Sequence, residues 1–188
     1  MKIRIFIALE LPSSFKQELF KQAQLLAGQD KRQHIQWLPP ENYHLTLAFL
    51  GDLDSIRLSG LQFALEQKLG FMKAVPCKIS TISLFPFSRP KIAAALLECT
   101  AELLELQIDV TNCARSCGIS LERRRFVPHV TLGRQKLRSG KSVDLQAYNI
   151  LLVGVADTVT LFQSELTPNG AIYTALAEIP LRTMLEDK

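Results

Sequence analysis

Little in this chain announces a class by abundance. Four cysteines, Cys77, Cys99, Cys113 and Cys117, stand among 188 residues, and none has the Cys-x-x-Cys spacing of zinc ribbons or redox motifs. Cys113 and Cys117, four apart in a helical stretch, form a conceivable metal pair, but small buried or half-buried thiols are the simpler expectation. No apolar run approaches the roughly 20 residues that cross a bilayer. The opening Met1-Lys2-Ile3-Arg4-Ile5 is too charged for the apolar core of a signal peptide. Nine glycines and nine prolines nowhere cluster into a linker, and a net charge of only +4 permits a nucleic-acid partner without demanding one. These absences lead to the expectation of a soluble, cytoplasmic, reduced protein with no membrane partner. A hydrophobic share of 47% supplies a sizeable core.

Histidine is scarcer still, with three in the chain, yet two of them share one grammar. His44-Leu45-Thr46-Leu47 returns as His129-Val130-Thr131-Leu132. In a strand, residues two apart share a face, so each copy turns an imidazole and a hydroxyl one way and two apolar side chains the other. With Thr at roughly one position in twenty, two of three His meeting Thr at the second following position is about a one-in-a-hundred coincidence. Two such strands can line opposite walls of a cleft, as a paired acid and base require. His34, with no Thr partner, reads as a loop histidine.

The rest of the chain supplies the frame. Residues 2 to 10 alternate as a strand; Ser13 or Ser14 caps a helix whose stripe is Phe15, Leu19, Phe20, Ala23, Leu26 and Ala27, ending near Gly28. The strand from His44 to Leu50 ends at Gly51-Asp52, and a helix pattern runs from Asp54 to Gly70. Residues 75 to 84 read as a strand. Ile92 to Cys99 suits a hairpin partner or, by its alanines, a helix. Ala101 to Cys117 is helical, Lys136 to Lys141 is a polar loop, and 150–155, 159–164 and 171–179 are strands, the last two joined by the turn Thr167-Pro168-Asn169-Gly170. Turns too short for parallel crossovers predict an α+β fold with antiparallel sheets. Each half has a helix, a loop, a proline-containing turn and a His strand. We therefore expect one domain over 1–188, built as two pseudo-symmetric lobes whose sheets line a central cleft with helices packed outside.

These residues resemble the two-histidine phosphoesterases, in particular the bacterial and archaeal RNA 2',3'-cyclic phosphodiesterases first described as 2'-5' RNA ligases. The resemblance spans nearly the whole chain. It includes Arg4-Ile5-Phe6-Ile7-Ala8-Leu9-Glu10-Leu11-Pro12, His44 through Gly51, Phe87-Ser88-Arg89-Pro90, Pro128 through Arg134, and Leu161-Phe162-Gln163-Ser164-Glu165-Leu166 on to Gly170 and Tyr173. One departure is the strand after Pro90, where the family often has a Trp and this chain reads Ile92-Ala93-Ala94-Ala95-Leu96.

The resemblance implies metal-independent opening of an RNA-terminal 2',3'-cyclic phosphate to a 2'-phosphate, with no cofactor. Two imidazoles with an unperturbed pKa of about 6.5 suit the two proton transfers. By resemblance His44 is the general acid and His129 the general base. The Thr46 and Thr131 hydroxyls can donate to phosphate oxygens, and Arg134 matches a family position that contacts nucleotide phosphate. Arg123, Arg124 and Arg125 either extend a positive rim toward RNA or form a solvated strand edge. Phe6, Tyr43 and Phe49 either pack beside a base or fill the core, with core the simpler role for Phe6. The expected partners are RNA ends or small nucleotides bearing a cyclic phosphate, met by a monomer. The alternatives are a 2'-5' RNA ligase, a phosphodiesterase for another cyclic or 2'-5' nucleotide, and a non-catalytic RNA-binding module.

Overall fold

The structure is a computed structural model that describes residues 2–31, 33–88, 90–122, 125–136, 147–168 and 170–183. The expectations for Arg89, Arg123, Arg124, Asn169 and most of the Lys136 to Lys141 loop fall outside the described residues. Strand β1 (Lys2–Glu10) leads into α1 (Ser13–Gln29), then β2 (Ile35–Trp37), β3 (His44–Asp54), α2 (Leu58–Leu69), β4 (Val75–Phe85) and β5 (Ile92–Leu97). Helix α3 (Ala101–Ser116) precedes β6 (His129–Gln135), β7 (Tyr148–Ala156), β8 (Thr158–Thr167) and β9 (Gly170–Pro180). The α+β expectation holds, and Ile92 onward is a strand.

The two expected sheets are joined into one. Nine antiparallel strands run in the order β7-β4-β5-β6-β3-β1-β8-β9, with β2 added beside β6. The seam between the halves is a single antiparallel pair, Leu45 opposite Val130. Helix α1, which follows the first-half strand β1, packs against β6, whereas α3, from the second half, packs over β3 and against α2. Each half thus depends on the other half's helix to cover its sheet.

Local chemistry explains the helices. Phe15, Leu19, Ala23 and Leu26 form the buried stripe of α1, and Leu61, Leu65 and Leu69 that of α2, at the three-to-four residue spacing of one helix face. The Thr100 hydroxyl caps α3 by accepting from the Leu103 N–H at 3.2 Å. Neither Ser13 nor Ser14 caps α1: the helix begins at Ser13 behind Pro12, whose carbonyl accepts from Phe15 and Lys16. The strand expected to stop at Gly51 continues to Asp54, because Gly51 takes a positive φ of +70° and absorbs a bulge instead of ending the ladder. Helix α2 correspondingly starts at Leu58, after a single 3-10 turn over Ser55–Arg57. Cys113 is buried and Cys117 half-buried as expected, while Cys77 is buried and Cys99 exposed.

Candidate active site

The two His-x-Thr strands meet at the seam. An antiparallel pair at Leu45 and Val130 sets Thr46 on the side of His129 and His44 on the side of Thr131. Thr46 and His129 accordingly line one cavity of about 380 Å³. Opposite each threonine the neighbouring strand presents an alanine, Ala8 across from Thr46 and Ala94 across from Thr131, so little bulk stands over either hydroxyl.

Both strands then break their alternation at the same place. On β3, Ala8 pairs with Thr46 and Ile7 with Ala48, leaving Leu47 as an extra residue. On β6, Ala94 pairs with Thr131 and Ala93 with Gly133, leaving Leu132 extra. Each bulge lies three residues after its histidine and shifts the phase of the residues beyond it. The fifth residue after each histidine is thereby returned to the histidine face: Phe49 on β3, paired with Phe6, and Arg134 on β6, paired with Ile92. Strict alternation would have sent both inward. Gly133 sits where β2 crosses close, since a Cβ there would lie 2.5 Å from Ile35 Cγ2.

Each imidazole is anchored on the carbonyl two residues upstream. His129 Nδ1 lies 2.7 Å from the Val127 oxygen, and a ring nitrogen of His44 bonds the Asn42 backbone. Their surroundings differ. His44 is ringed by Phe6 at 4.8 Å, Tyr173 at 5.2 Å and Phe162 at 6.0 Å between centroids; His129 has Phe85 at 4.9 Å. Desolvation in the aromatic box drives the His44 pKa down to about 4, against the Asn42 bond and with added repulsion from Lys16, Arg134 and His129. Burial also lowers His129, opposed by its bond to Val127 and assisted by the Arg134 charge. Arg134 is thus close enough for its charge to act on both rings.

Residues 9–93 and 97–173 match the family model of the LigT-like phosphoesterases. The chain belongs to this family. The RNA 2',3'-cyclic phosphodiesterase of Methanocaldococcus jannaschii is 29% identical over 181 residues, covering 94% of this chain and 99% of that protein. The protein of the same name from Thermotoga maritima is 28% identical, covering 94% of each. In fold, a Thermus thermophilus crystal structure superposes with a TM-score of 0.84 at 23% identity, covering 97% of this chain and 100% of that one. E. coli LigT complexed with 3'-AMP superposes with a TM-score of 0.77 at 21% identity, over 96% and 99% of the two chains.

Within this LigT-like frame, the fold gathers His44, His129, Thr46, Thr131 and Arg134 on one face of the seam. Arg125 is exposed at the rim of the His129 cavity. Phe6 is buried yet stacks on His44, so it belongs to both core and site. Tyr43 is a correction: it is fully buried in the hydrophobic core, because the residue preceding His44 points to the opposite face. Phe49 goes the other way, 44% exposed in the cleft. Phe162, Tyr173 and Phe85, which make the imidazole environments, were not among the sequence-predicted site residues. Phe162 and Tyr173 were signalled only by lying in or next to the resembling segment near the end of the chain, and Phe85 by none. No described helix is long and apolar enough to cross a membrane.

Proposed function

We propose that this chain hydrolyses 2',3'-cyclic phosphate ends of RNA to 2'-phosphates, working as one two-lobed unit with its active site on the seam. The observation that carries this is the pair of carbonyl-anchored imidazoles on the two walls, with the Arg134 charge acting on both. The names of the full-length relatives from Methanocaldococcus jannaschii and Thermotoga maritima supply the substrate class.

In the neutral His129 ring, Nδ1–H donates to Val127 O and leaves the Nε2 lone pair to take a proton. His129 removes that proton from water as the water oxygen bonds phosphorus. The bond from phosphorus to the ribose O3' breaks on the opposite side, and His44 gives O3' its proton. The products are a 2'-phosphate and a 3'-hydroxyl, with one proton gained by His129 and one lost by His44. Thr46, Thr131 and Arg134 stabilise charge on the nonbridging oxygens.

A His44 pKa of about 4 holds this ring neutral near pH 7. The incoming phosphate anion favours the imidazolium, so substrate itself recruits the proton that His44 delivers. Imidazoles and one guanidinium meet the proton and charge demands, so activity is expected to survive EDTA. The deciding assay is incubation of a cyclic-phosphate-terminated oligonucleotide with the protein and chromatography of the products. A 2'-phosphate end supports the proposal; intact substrate bound without turnover points to a binding module and sinks it.

A further inference from the structure

The bulges make Phe49 and Arg134 counterparts, yet one is a phenyl ring and the other a cation. The cation missing from the first wall is restored from the neighbouring strand: the Arg4 guanidinium carbon lies 4.9 Å from the centroid of the Phe49 ring. We propose that Arg4, seated on Phe49, forms a second phosphate position on the His44 wall, which takes the phosphodiester joining the reacting terminal nucleotide to the rest of an RNA strand. This rests on the cyclic-phosphate reading of the site.

Stacking on a ring face holds a guanidinium without using its N–H donors, so the donors stay available to an oxyanion. Arg4 lines a cavity of about 120 Å³ together with His44, Thr46, Phe49, Ser164 and Tyr173. That volume is well below the roughly 300 Å³ at which small-molecule pockets begin. It suits a tetrahedral oxyanion rather than a nucleoside, and its polar lining is hydroxyls, the His44 imidazole and a cation. The cavity of about 380 Å³ on the His129 side lies in the range for a nucleoside. Thr46 and Phe49 line both spaces, so one substrate can place its terminal nucleoside in the larger and its next phosphate in the smaller. Asp52 stands opposite Arg4 in the strand register, and Glu165, on the strand that pairs with β1, accepts from Gln163 at 2.8 Å. Among the described residues, no ion pair involves Arg4 or Asp52.

The test compares a nucleoside 2',3'-cyclic monophosphate with a dinucleotide carrying one internal phosphodiester and the same cyclic end. Losing a charge-assisted contact in Arg4→Ala is expected to lower the dinucleotide-to-mononucleotide ratio of kcat/KM about tenfold. Phe49→Leu, which keeps the charge but removes its seat, lowers the same ratio less. Equal loss on both substrates overturns the proposal, since Arg4 then serves the reacting phosphate; an unchanged ratio in both variants overturns it too. Calorimetric binding of a 3'-phosphorylated dinucleotide against a nucleoside 3'-monophosphate reads the second phosphate without turnover. A protein that binds the dinucleotide more tightly through Arg4 but cleaves nothing removes the catalytic reading and keeps this one. A protein that binds both equally removes this one.

Discussion

The two walls of the cleft carry the same motif, the same bulge and the same carbonyl anchor, but they give their histidines unequal proton affinities. On the β3 wall His44 stands among three aromatic rings and is pushed down to about 4. On the β6 wall His129 has one aromatic neighbour within the described contacts and is lowered by a smaller amount. A repeated motif therefore specifies position, while the strands behind it specify proton affinity. The fifth residue after each histidine makes the same point: equivalent backbone sites hold Phe49, with its borrowed Arg4, and Arg134.

The largest effect should come from erasing either wall's imidazole. His44→Ala and His129→Ala are each expected to reduce kcat by about 10³-fold or more, as loss of a general acid or base does, measured by single-turnover hydrolysis; near-normal turnover in either would break the pairing of the walls. Thr46→Val and Thr131→Val should each cost about 10²-fold, as for one oxyanion donor. Because the seam register sets Thr46 beside His129 and Thr131 beside His44, double-mutant cycles should show coupling across the seam. Coupling only within each strand would contradict that arrangement.

Arg134→Ala should lower kcat/KM about tenfold through loss of a charged contact. Since the Arg134 charge lowers both histidines, both titrations should move up in this variant when followed by NMR. Phe162→Ala is expected to act on one wall only: opening the aromatic box lets the His44 titration rise from about 4 toward the ordinary 6.5 and leaves His129 in place. The sign for catalysis comes from the proposed roles, His44 as acid and His129 as base. The acid must be protonated, so kcat/KM falls as pH rises past the His44 value; the base must be neutral, so it falls as pH drops past the lowered His129 value. The free-enzyme optimum therefore lies below 6.5, with limbs that belong to the coupled pair. The kcat optimum lies higher, because bound phosphate favours both imidazolium forms. A kcat/KM optimum above pH 7 would contradict the lowered proton affinities of the two histidines.

Much of the candidate site was legible in the order of residues alone. His44, Thr46, His129 and Thr131 stand out through a two-residue period, which is local, and Arg134 came with the resembling segment. Phe49 and Tyr43 show why the rest was not. Alternation alone would send both to the core face, and only the bulge at Leu47, visible in the pairing with β1, turns Phe49 out while Tyr43 stays in. The aromatic box was hidden for a related reason. Phe162 and Tyr173 reach His44 only because β1 lies between β3 and β8 in the sheet, an order that needs the β1–β8 pairing of residues more than a hundred apart in the chain.

The sequence by itself determined the paired His-x-Thr faces, the apolar stripes of the helices and the antiparallel α+β class, because each rests on the fixed periods of strand and helix. Only the tertiary structure decided that the halves share one sheet, that each threonine stands beside the other strand's histidine, and that one imidazole is enclosed by three aromatic rings while the other has one beside it. Desolvation depends on which side chains pack around a group, and those neighbours are assembled from the whole chain.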